Sequence, residues 1–123
     1  KGILEKVKTH AGDVDFEVQP ELLSLFSNRD FGRYAGEKGE MNVCFISNND
    51  ITGGNSGSAM FNARGELLGL AFDGNWEAMS SDILYEPKMQ RCIGVDVRYI
   101  LFMIEKYGKA GDLIRELKIV SGK

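Results

Sequence analysis

The chain has 123 residues, of which 43% are hydrophobic and 27% are charged, and its formal net charge is −3. This length and composition indicate one small globular domain. The basic residues do not gather on one segment, so nucleic-acid binding has little support, and no apolar run approaches the ~20 residues of a membrane span.

The first residues have no strand pattern and contain the one histidine of the chain, His10. Nucleophilic serine chemistry usually needs a general base, commonly a histidine that an acid holds in place. Because His10 lies in a polar stretch, we interpret it as a solvated loop residue and not as a catalytic base. The chain starts without Met, so we expect a truncated N-terminus from which the cellular compartment cannot be read.

A helix, a loop and a strand are predicted next. Proline suits the first position of a helix, and Pro20–Phe26 places leucine and phenylalanine side chains on one face. Residues 28–40 are rich in glycine and charge, which predicts a loop. Residues 41–47 are apolar nearly throughout, as is typical of a barrel strand that is buried on both faces.

The two cysteines, Cys44 and Cys92, each lie in an apolar context. We predict buried free thiols, because free cysteine is often a small core residue; a bridge between neighbouring strands is the alternative. The sequence has no CxxC pattern and no pair of histidines, so it predicts no metal site and no cofactor.

The stretch most informative about function is Gly53–Ser58, which reads Gly-Gly-Asn-Ser-Gly-Ser. Glycine adopts positive φ at little cost, so consecutive N–H groups can point into one small space. A nucleophilic serine needs such a space, because its tetrahedral intermediate carries a negative oxygen. Ser56 is therefore a candidate nucleophile, and a glycine-rich surface turn is the alternative.

A hairpin is predicted directly after this loop. Residues 59–61 form a short apolar run, residues 62–65 a turn, and residues 66–72 a second strand. A serine loop, a hairpin and a strand that lines a pocket is the order found in the second barrel of trypsin-fold proteases. We therefore predict a mainly β chain that is part of the second barrel of a trypsin-like double β-barrel, followed by C-terminal helices.

The C-terminal third is predicted to contain a loop, a strand and two helices. Residues 73–90 have no clear period and suggest a long ordered loop with helical turns, whereas residues 92–95 form a strand. Asp96 is a good N-cap for an amphipathic helix that Gly108 ends. A second short helix is predicted over residues 112–117.

Three segments, in order along the chain, resemble the bacterial trypsin-fold dipeptidyl-peptidases, a group that includes dipeptidyl-peptidases 7 and 11. They are Asp50–Ser58, Gly69–Glu77, and Gln90–Arg91 with Val95–Tyr99. The resemblance implies a larger protein with a double barrel and an inserted helical domain, of which residues 1–123 form the C-terminal portion. The first barrel and the catalytic histidine and aspartate would lie upstream.

The resemblance also implies roles for four residues. Ser56 resembles the nucleophile, and the backbone N–H groups of Gly54 and Ser56 would form the oxyanion hole. Asp73 matches an aspartate implicated in binding the substrate N-terminus; a solvated aspartate at a strand end is the alternative. Gly74 stands where the acidic-specific branch has arginine, which implies an apolar or aromatic P1 residue, although this glycine could serve only a turn.

Two residues near Ser56 are not expected to have the roles of the residues at the same positions in trypsin. Asn55 replaces an acid, so activation by a salt bridge to a new N-terminus is not expected, and hydrogen bonds alone should hold the loop. Asp50 stands where trypsin keeps the acid that selects Lys or Arg. In the resembled family this aspartate accompanies other specificities, so a basic P1 residue is not expected.

We therefore expect a serine exopeptidase of the dipeptidyl-peptidase 7 branch, whose substrates are oligopeptides. The resemblance implies a homodimer in the periplasm or at the cell surface of a Gram-negative bacterium. An endopeptidase of the periplasmic chaperone-protease type, which also uses Gly-Asn-Ser-Gly, and a non-catalytic barrel module are the alternatives. This chain alone is expected to be inactive, since the base and the acid are missing.

Overall fold

A four-stranded antiparallel sheet carries the serine loop in the computed structural model, which describes residues 2–80 and 83–120. The strand order is β1-β4-β3-β2. The strands are β1 (Cys44–Ser47), β2 (Ala59–Phe61), β3 (Leu67–Gly74) and β4 (Cys92–Asp96). Strands β2 and β3 form the predicted hairpin. Its turn is closed by Asn62 Oδ1, which accepts from the Arg64 N–H at 2.9 Å and the Glu66 N–H at 3.0 Å.

Two glycines let one aromatic ring cross the middle of the sheet. Phe45 on β1 pairs with Gly94 on β4. A Cβ atom added at Gly94 would lie 2.7 Å from Phe45 Cζ, and one added at Gly69 would lie 2.8 Å from Phe45 Cε1. The ring therefore occupies the space that side chains at these two positions would need.

Helices pack on one another beside this sheet. They are α1 (Gly2–Thr9), α2 (Pro20–Ser27), α3 (Val97–Phe102) and α4 (Gly111–Arg115), and α3 continues as a π-helical turn over Met103–Tyr107. Short 3₁₀ helices span Val14–Phe16, Gly32–Tyr34 and Trp76–Ser80. No helix among the described residues is long and apolar enough to cross a membrane.

The buried core lies among the helices. Its most buried members are Phe26, Phe31, Tyr34, Leu101, Phe102 and Ile114. Three of the aromatic rings meet edge to face, with centroids 5.2–5.8 Å apart. More described residues are helical than extended, so the prediction of a mainly β chain is too strong, whereas the predicted C-terminal helices are confirmed.

The predicted loop over residues 28–40 supplies part of this core. Phe31 and Tyr34 are buried, and the Tyr34 hydroxyl donates to the carboxylate of Glu105. Arg33 also donates to Glu105, at 3.0 Å. The hydrogen bond from Tyr34, followed by that from Arg33, holds the pKa of Glu105 below its ordinary value. The glycine-rich stretch is thus a loop only in part.

Other local predictions hold or fail for visible reasons. Asp96 caps α3 as predicted, because its side chain accepts from the Arg98 N–H at 2.9 Å. The strand predicted over residues 41–47 is shorter and alternates in burial, and Ile46 is 70% exposed. It is therefore not buried on both faces, because its alternate residues Cys44 and Ile46 are exposed on one face of the sheet.

Both cysteines are free thiols, but only Cys92 is buried. Cys44 is exposed on the edge strand β1, contrary to the prediction. Cys44 pairs with Val95, and Cys92 pairs with Ser47 at the other end of the ladder, so the two thiols do not face each other. Burial raises the pKa of the Cys92 thiol.

Candidate active site

The loop before β2 is closed by Asn55. Its side-chain Oδ1 accepts from the Thr52 N–H at 2.8 Å, and its own N–H donates to the Thr52 carbonyl at 3.2 Å. The Asn55 carbonyl in turn accepts from the Ser58 N–H at 2.9 Å. A neutral amide thus shapes the loop through hydrogen bonds.

Two further hydrogen bonds attach the loop to the end of β3. The Gly57 N–H donates to the Ala71 carbonyl at 2.7 Å, and the Ala71 N–H donates to the Ser58 carbonyl at 2.8 Å. Gly54 and Gly57 have φ of +93° and +87°, which is the left-handed region that favours glycine. These contacts fix Ser56 beside the strand that carries Asp73.

Ser56 itself is exposed, and within the described residues its hydroxyl makes no hydrogen bond. The backbone N–H groups of Gly54 and Ser56 also have no acceptor in that part of the chain. Free N–H groups of this kind can receive a negatively charged oxygen. Ser56 lines the neighbouring pocket, whereas Gly54 lies outside its lining.

A β-bulge places Asp73 at this pocket. Ala71 pairs with Gly94 and Asp73 pairs with Ile93, so Phe72 is the additional residue on β3. A bulge redirects the side chains that follow it, and here both Phe72 and Asp73 are exposed. One carboxylate oxygen of Asp73, Oδ1, accepts from the Gly74 N–H at 2.7 Å. The other accepts no hydrogen bond from the described residues.

The pocket has a volume of ≈ 270 Å³, just below the range of roughly 300–1,000 Å³ for ligand sites. It is therefore of a size for one side chain and not for a large ligand. Its lining is Ile51, Thr52, Gly53, Asn55, Ser56, Ala71, Phe72, Asp73, Gly74, Asn75, Ala78 and Met79. Asp73 is the one ionisable residue among the described residues of this lining, which therefore offer no cation to an acidic side chain.

The 3₁₀ helix Trp76–Ser80 forms one wall of the pocket, and Asn75 braces it. The Asn75 N–H donates to the Arg91 carbonyl at 2.9 Å, and Asn75 Oδ1 accepts from the Arg91 N–H at 2.8 Å. Asn75 Nδ2 also donates to the Met89 carbonyl at 2.8 Å. The end of β3 is thereby tied to the start of β4.

The structure thus brings three predicted residues, Ser56, Asp73 and Gly74, to one pocket. The wall residues Ala78 and Met79 and the hydrogen bonds of Asn75 were not predicted from the sequence. The predicted helical turns within residues 73–90 were the one available signal for this wall; residues 81 and 82 of that loop lie outside the described residues.

His10 does not line this pocket. It follows α1, a helix that was not predicted, and its ring stacks on Phe16 with centroids 4.0 Å apart. His10 thus lies in a turn, as predicted for a loop residue, but its side chain is half-buried and not fully solvated. The pocket at Ser56 contains no histidine, and no group of three or more possible metal ligands occurs among the described residues.

Nearly the whole chain matches a known protein family. A family model described as Peptidase S46 matches residues 1–119. The chain is 57% identical over 122 residues to a protein named dipeptidyl-peptidase 7 from Porphyromonas endodontalis. This alignment covers 99% of this chain and 14% of that protein. It is 48% identical over 119 residues to an Asp/Glu-specific dipeptidyl-peptidase from Capnocytophaga gingivalis, covering 97% of this chain and 16% of that protein.

Solved structures share the fold. A crystal structure of Porphyromonas endodontalis DPP11 with the dipeptide Arg-Asp matches with a TM-score of 0.89 and 44% identity. The superposition covers 95% of this chain and 16% of the DPP11 chain. The complex with Arg-Glu has a TM-score of 0.87, also at 44% identity, over 94% of this chain and 16% of that one. The chain thus spans about a sixth of the length of these relatives.

Proposed function

Because this chain belongs to the peptidase S46 family, we propose that it is part of a serine exopeptidase that releases dipeptides from the free N-terminus of oligopeptides. The observation that carries this proposal is the meeting of Ser56, Asp73 and Gly74 at one small pocket. A nucleophile, an anchor for a cation and an uncharged opening are three of the parts that such a reaction requires, and a general base is the fourth.

Ser56 is the proposed nucleophile. Its Oγ attacks the scissile carbonyl carbon while its proton passes to a general base, which we expect to be the histidine of an upstream segment. The carbonyl oxygen becomes an oxyanion, and the free N–H groups of Gly54 and Ser56 stabilise it. Collapse of this intermediate expels the amine and leaves the dipeptide as an ester on Ser56, which water then hydrolyses.

Asp73 is the proposed anchor for the α-ammonium group of the substrate. Two extended residues span about 7 Å, so the ammonium of a P2 residue lies a short distance from the scissile bond. The carboxylate of Asp73 is exposed at the pocket and has one oxygen without a partner in the described chain. A charge-assisted hydrogen bond to this oxygen is stronger than a neutral one, which favours a free N-terminus.

The pocket supports an apolar or aromatic P1 residue. Gly74 contributes no charge, and the lining contains no basic residue, so a P1 glutamate would lose water without gaining a partner. Burial of a P1 leucine, methionine or phenylalanine is worth about 1.5–3 kcal/mol. The higher identity to the protein named dipeptidyl-peptidase 7 than to the Asp/Glu-specific one also supports this branch.

We propose that the sheet is part of the second barrel of a trypsin-like double barrel. The strand order leaves β1 and β2 as edges, and edge strands offer unpaired backbone groups to further strands. Upstream residues would supply those strands, the first barrel, the helical domain, and the catalytic histidine and aspartate. The full protein is proposed to be a homodimer in the periplasm or at the cell surface of a Gram-negative bacterium.

The test compares peptide substrates with free and N-acetylated termini, using the full-length protein that carries this chain. We expect efficient release of dipeptides from free-amine substrates with leucine at P1, and little cleavage of the acetylated forms. Equal cleavage of both forms would favour an endopeptidase and sink the exopeptidase proposal. No cleavage and no labelling by a serine-directed phosphonate would favour a non-catalytic module.

A further inference from the structure

Positions 74 and 78 compete for one space in the pocket beside Ser56. Ala78 lies on the 3₁₀ helix Trp76–Ser80 and lines the pocket together with Gly74. A Cβ atom added at Gly74 would lie 2.9 Å from Ala78 Cβ, a distance that real Cβ atoms essentially never show. A side chain can therefore occupy this space from one of the two positions but not from both.

The same space is bounded on another side by an aliphatic side chain. The Cβ atom added at Gly74 would lie 3.7 Å from Ile51 Cδ1, which is an ordinary van der Waals contact. Gly74, Ala78 and Ile51 thus converge on one apolar end of the pocket. Whatever side chain stands at position 78 decides how much of this end a ligand can fill.

The wall that carries Ala78 is braced against retreat. The Ala78 N–H donates to the Asn75 carbonyl at 2.9 Å. Asn75 is itself held by two hydrogen bonds to the Arg91 backbone and one to the Met89 carbonyl. The helix is thus attached to Asn75 through Ala78, and Ala78 Cβ lies next to Gly74, so atoms added to Ala78 extend into the pocket.

We propose that Ala78, together with Gly74, determines the size of the P1 side chain that the pocket admits. This inference rests on the proposed function and adds a specificity-determining residue to it. Two small residues facing each other leave room for a large apolar or aromatic P1 side chain. A larger apolar residue at either position narrows the pocket and favours a small P1 side chain such as alanine.

The first test is Ala78→Leu in the full-length protein. We measure kcat/KM for free-amine dipeptidyl substrates with phenylalanine or alanine at P1. The ratio of kcat/KM for phenylalanine to that for alanine should fall by at least about 10–200-fold, the range that one methylene group in a hydrophobic pocket produces. Ala63→Leu, on the exposed hairpin turn, is the matched control and should leave the ratio unchanged.

The second test measures the coupling between the two positions and does not depend on Ala78→Leu folding. Gly74→Ala alone should lower kcat/KM for the phenylalanine substrate at least about tenfold. The double variant Gly74→Ala with Ala78→Gly removes the clash and should recover to within about threefold of the wild type. Independent, additive effects would overturn the inference.

The outcomes separate this inference from the proposed function. A wild type that releases dipeptides through Ser56, combined with an unchanged P1 ratio in folded Ala78→Leu, overturns the role of Ala78 and leaves the proposed function standing. A wild type that releases no dipeptides, or whose activity survives Ser56→Ala, overturns both.

Discussion

Asp73 is the single residue whose change should separate free from blocked substrates most clearly. We expect Asp73→Asn to lower kcat/KM for free-amine substrates, since it removes a charged hydrogen bond worth about 1.5–3 kcal/mol. Asparagine has the same shape and can still accept from the Gly74 N–H, so the bulge should survive. N-acetylated substrates should be poor in both proteins and indifferent to the change.

Asp50→Asn is the matched control for Asp73→Asn. Asp50 is also an exposed acid near the serine loop, but it does not line the pocket. Kinetics with free-amine substrates should therefore stay close to the wild type. An equal loss of kcat/KM in Asp50→Asn would show that the net charge near the pocket, and not a specific contact with Asp73, determines substrate binding.

Gly74 should determine the charge preference at P1. We expect Gly74→Arg to depress kcat/KM for substrates with leucine at P1 and to raise it for substrates with glutamate. Because a Cβ atom at position 74 would lie 2.9 Å from Ala78 Cβ, the gain on glutamate should be larger when Ala78→Gly accompanies the change. A wild type that prefers glutamate to leucine would contradict the account of this position.

At the scale of the sheet, Gly94 should be sensitive to one added methyl group. A Cβ atom there would lie 2.7 Å from Phe45 Cζ and 2.8 Å from Met60 Sδ, and overpacking of this kind typically costs about 1–3 kcal/mol. We expect Gly94→Ala to speed amide hydrogen exchange in β3 and β4, measured by mass spectrometry on the full-length protein.

Gly111→Ala is the control for that experiment. Gly111 lies in α4, and nothing stands within 4 Å of a Cβ atom added there. Exchange in the sheet should be unchanged, because the added methyl group clashes with nothing. The helix itself should also be tolerant, since alanine has a higher helix propensity than glycine. Unchanged exchange in Gly94→Ala would mean that the ring of Phe45 moves aside at little cost.

The elements that could be predicted from the sequence are those with local signals. Pro20 at the start of α2, the turn between β2 and β3, and Asp96 before α3 each act through neighbouring residues. Phe31 and Tyr34 had no such signal, because their burial depends on α3 and Glu105, which lies 71 residues from Tyr34. The composition of a glycine-rich, charged stretch does not predict that two of its aromatic residues are buried by distant helices.

The candidate site was predictable to the same extent. Ser56 was predicted from its glycine-rich loop, whereas Asp73 and Gly74 were identified through the family resemblance, and the structure places all three at one pocket. Ala78 was missed because its position depends on Asn75, whose side chain accepts from Arg91 sixteen residues away. The segment that carries Ala78 has no hydrophobic period, so the sequence contains no pattern that predicts a pocket wall.

At the scale of the whole molecule, apolar side chains remain exposed along the sheet. Ile46 on β1, Phe61 on β2 and Phe72 on β3 are 70%, 60% and 56% exposed. Large exposed apolar patches are a feature of interfaces, and this chain spans about a sixth of the length of its relatives. We therefore expect other parts of the longer protein to cover these strands.

It follows that the 123-residue chain should be inert and prone to associate when produced alone. Its pocket contains no histidine, and its exposed strands have no cover. Size-exclusion chromatography should detect oligomers, and dipeptidyl chromogenic substrates should not be cleaved. Turnover comparable to that of the full-length protein, abolished by Ser56→Ala, would mean that the chain supplies its own general base.

Ser56 is proposed to form the acyl-enzyme. Covalent labelling of the full-length protein with a dipeptidyl phosphonate, followed by peptide mapping, identifies the nucleophile directly. The account predicts an adduct on Ser56, and a loss of at least about 10⁴-fold in kcat in a folded Ser56→Ala variant. Ser58→Ala, in the same loop, should keep both labelling and activity. An adduct on another serine, or near-normal turnover by Ser56→Ala, would contradict the account.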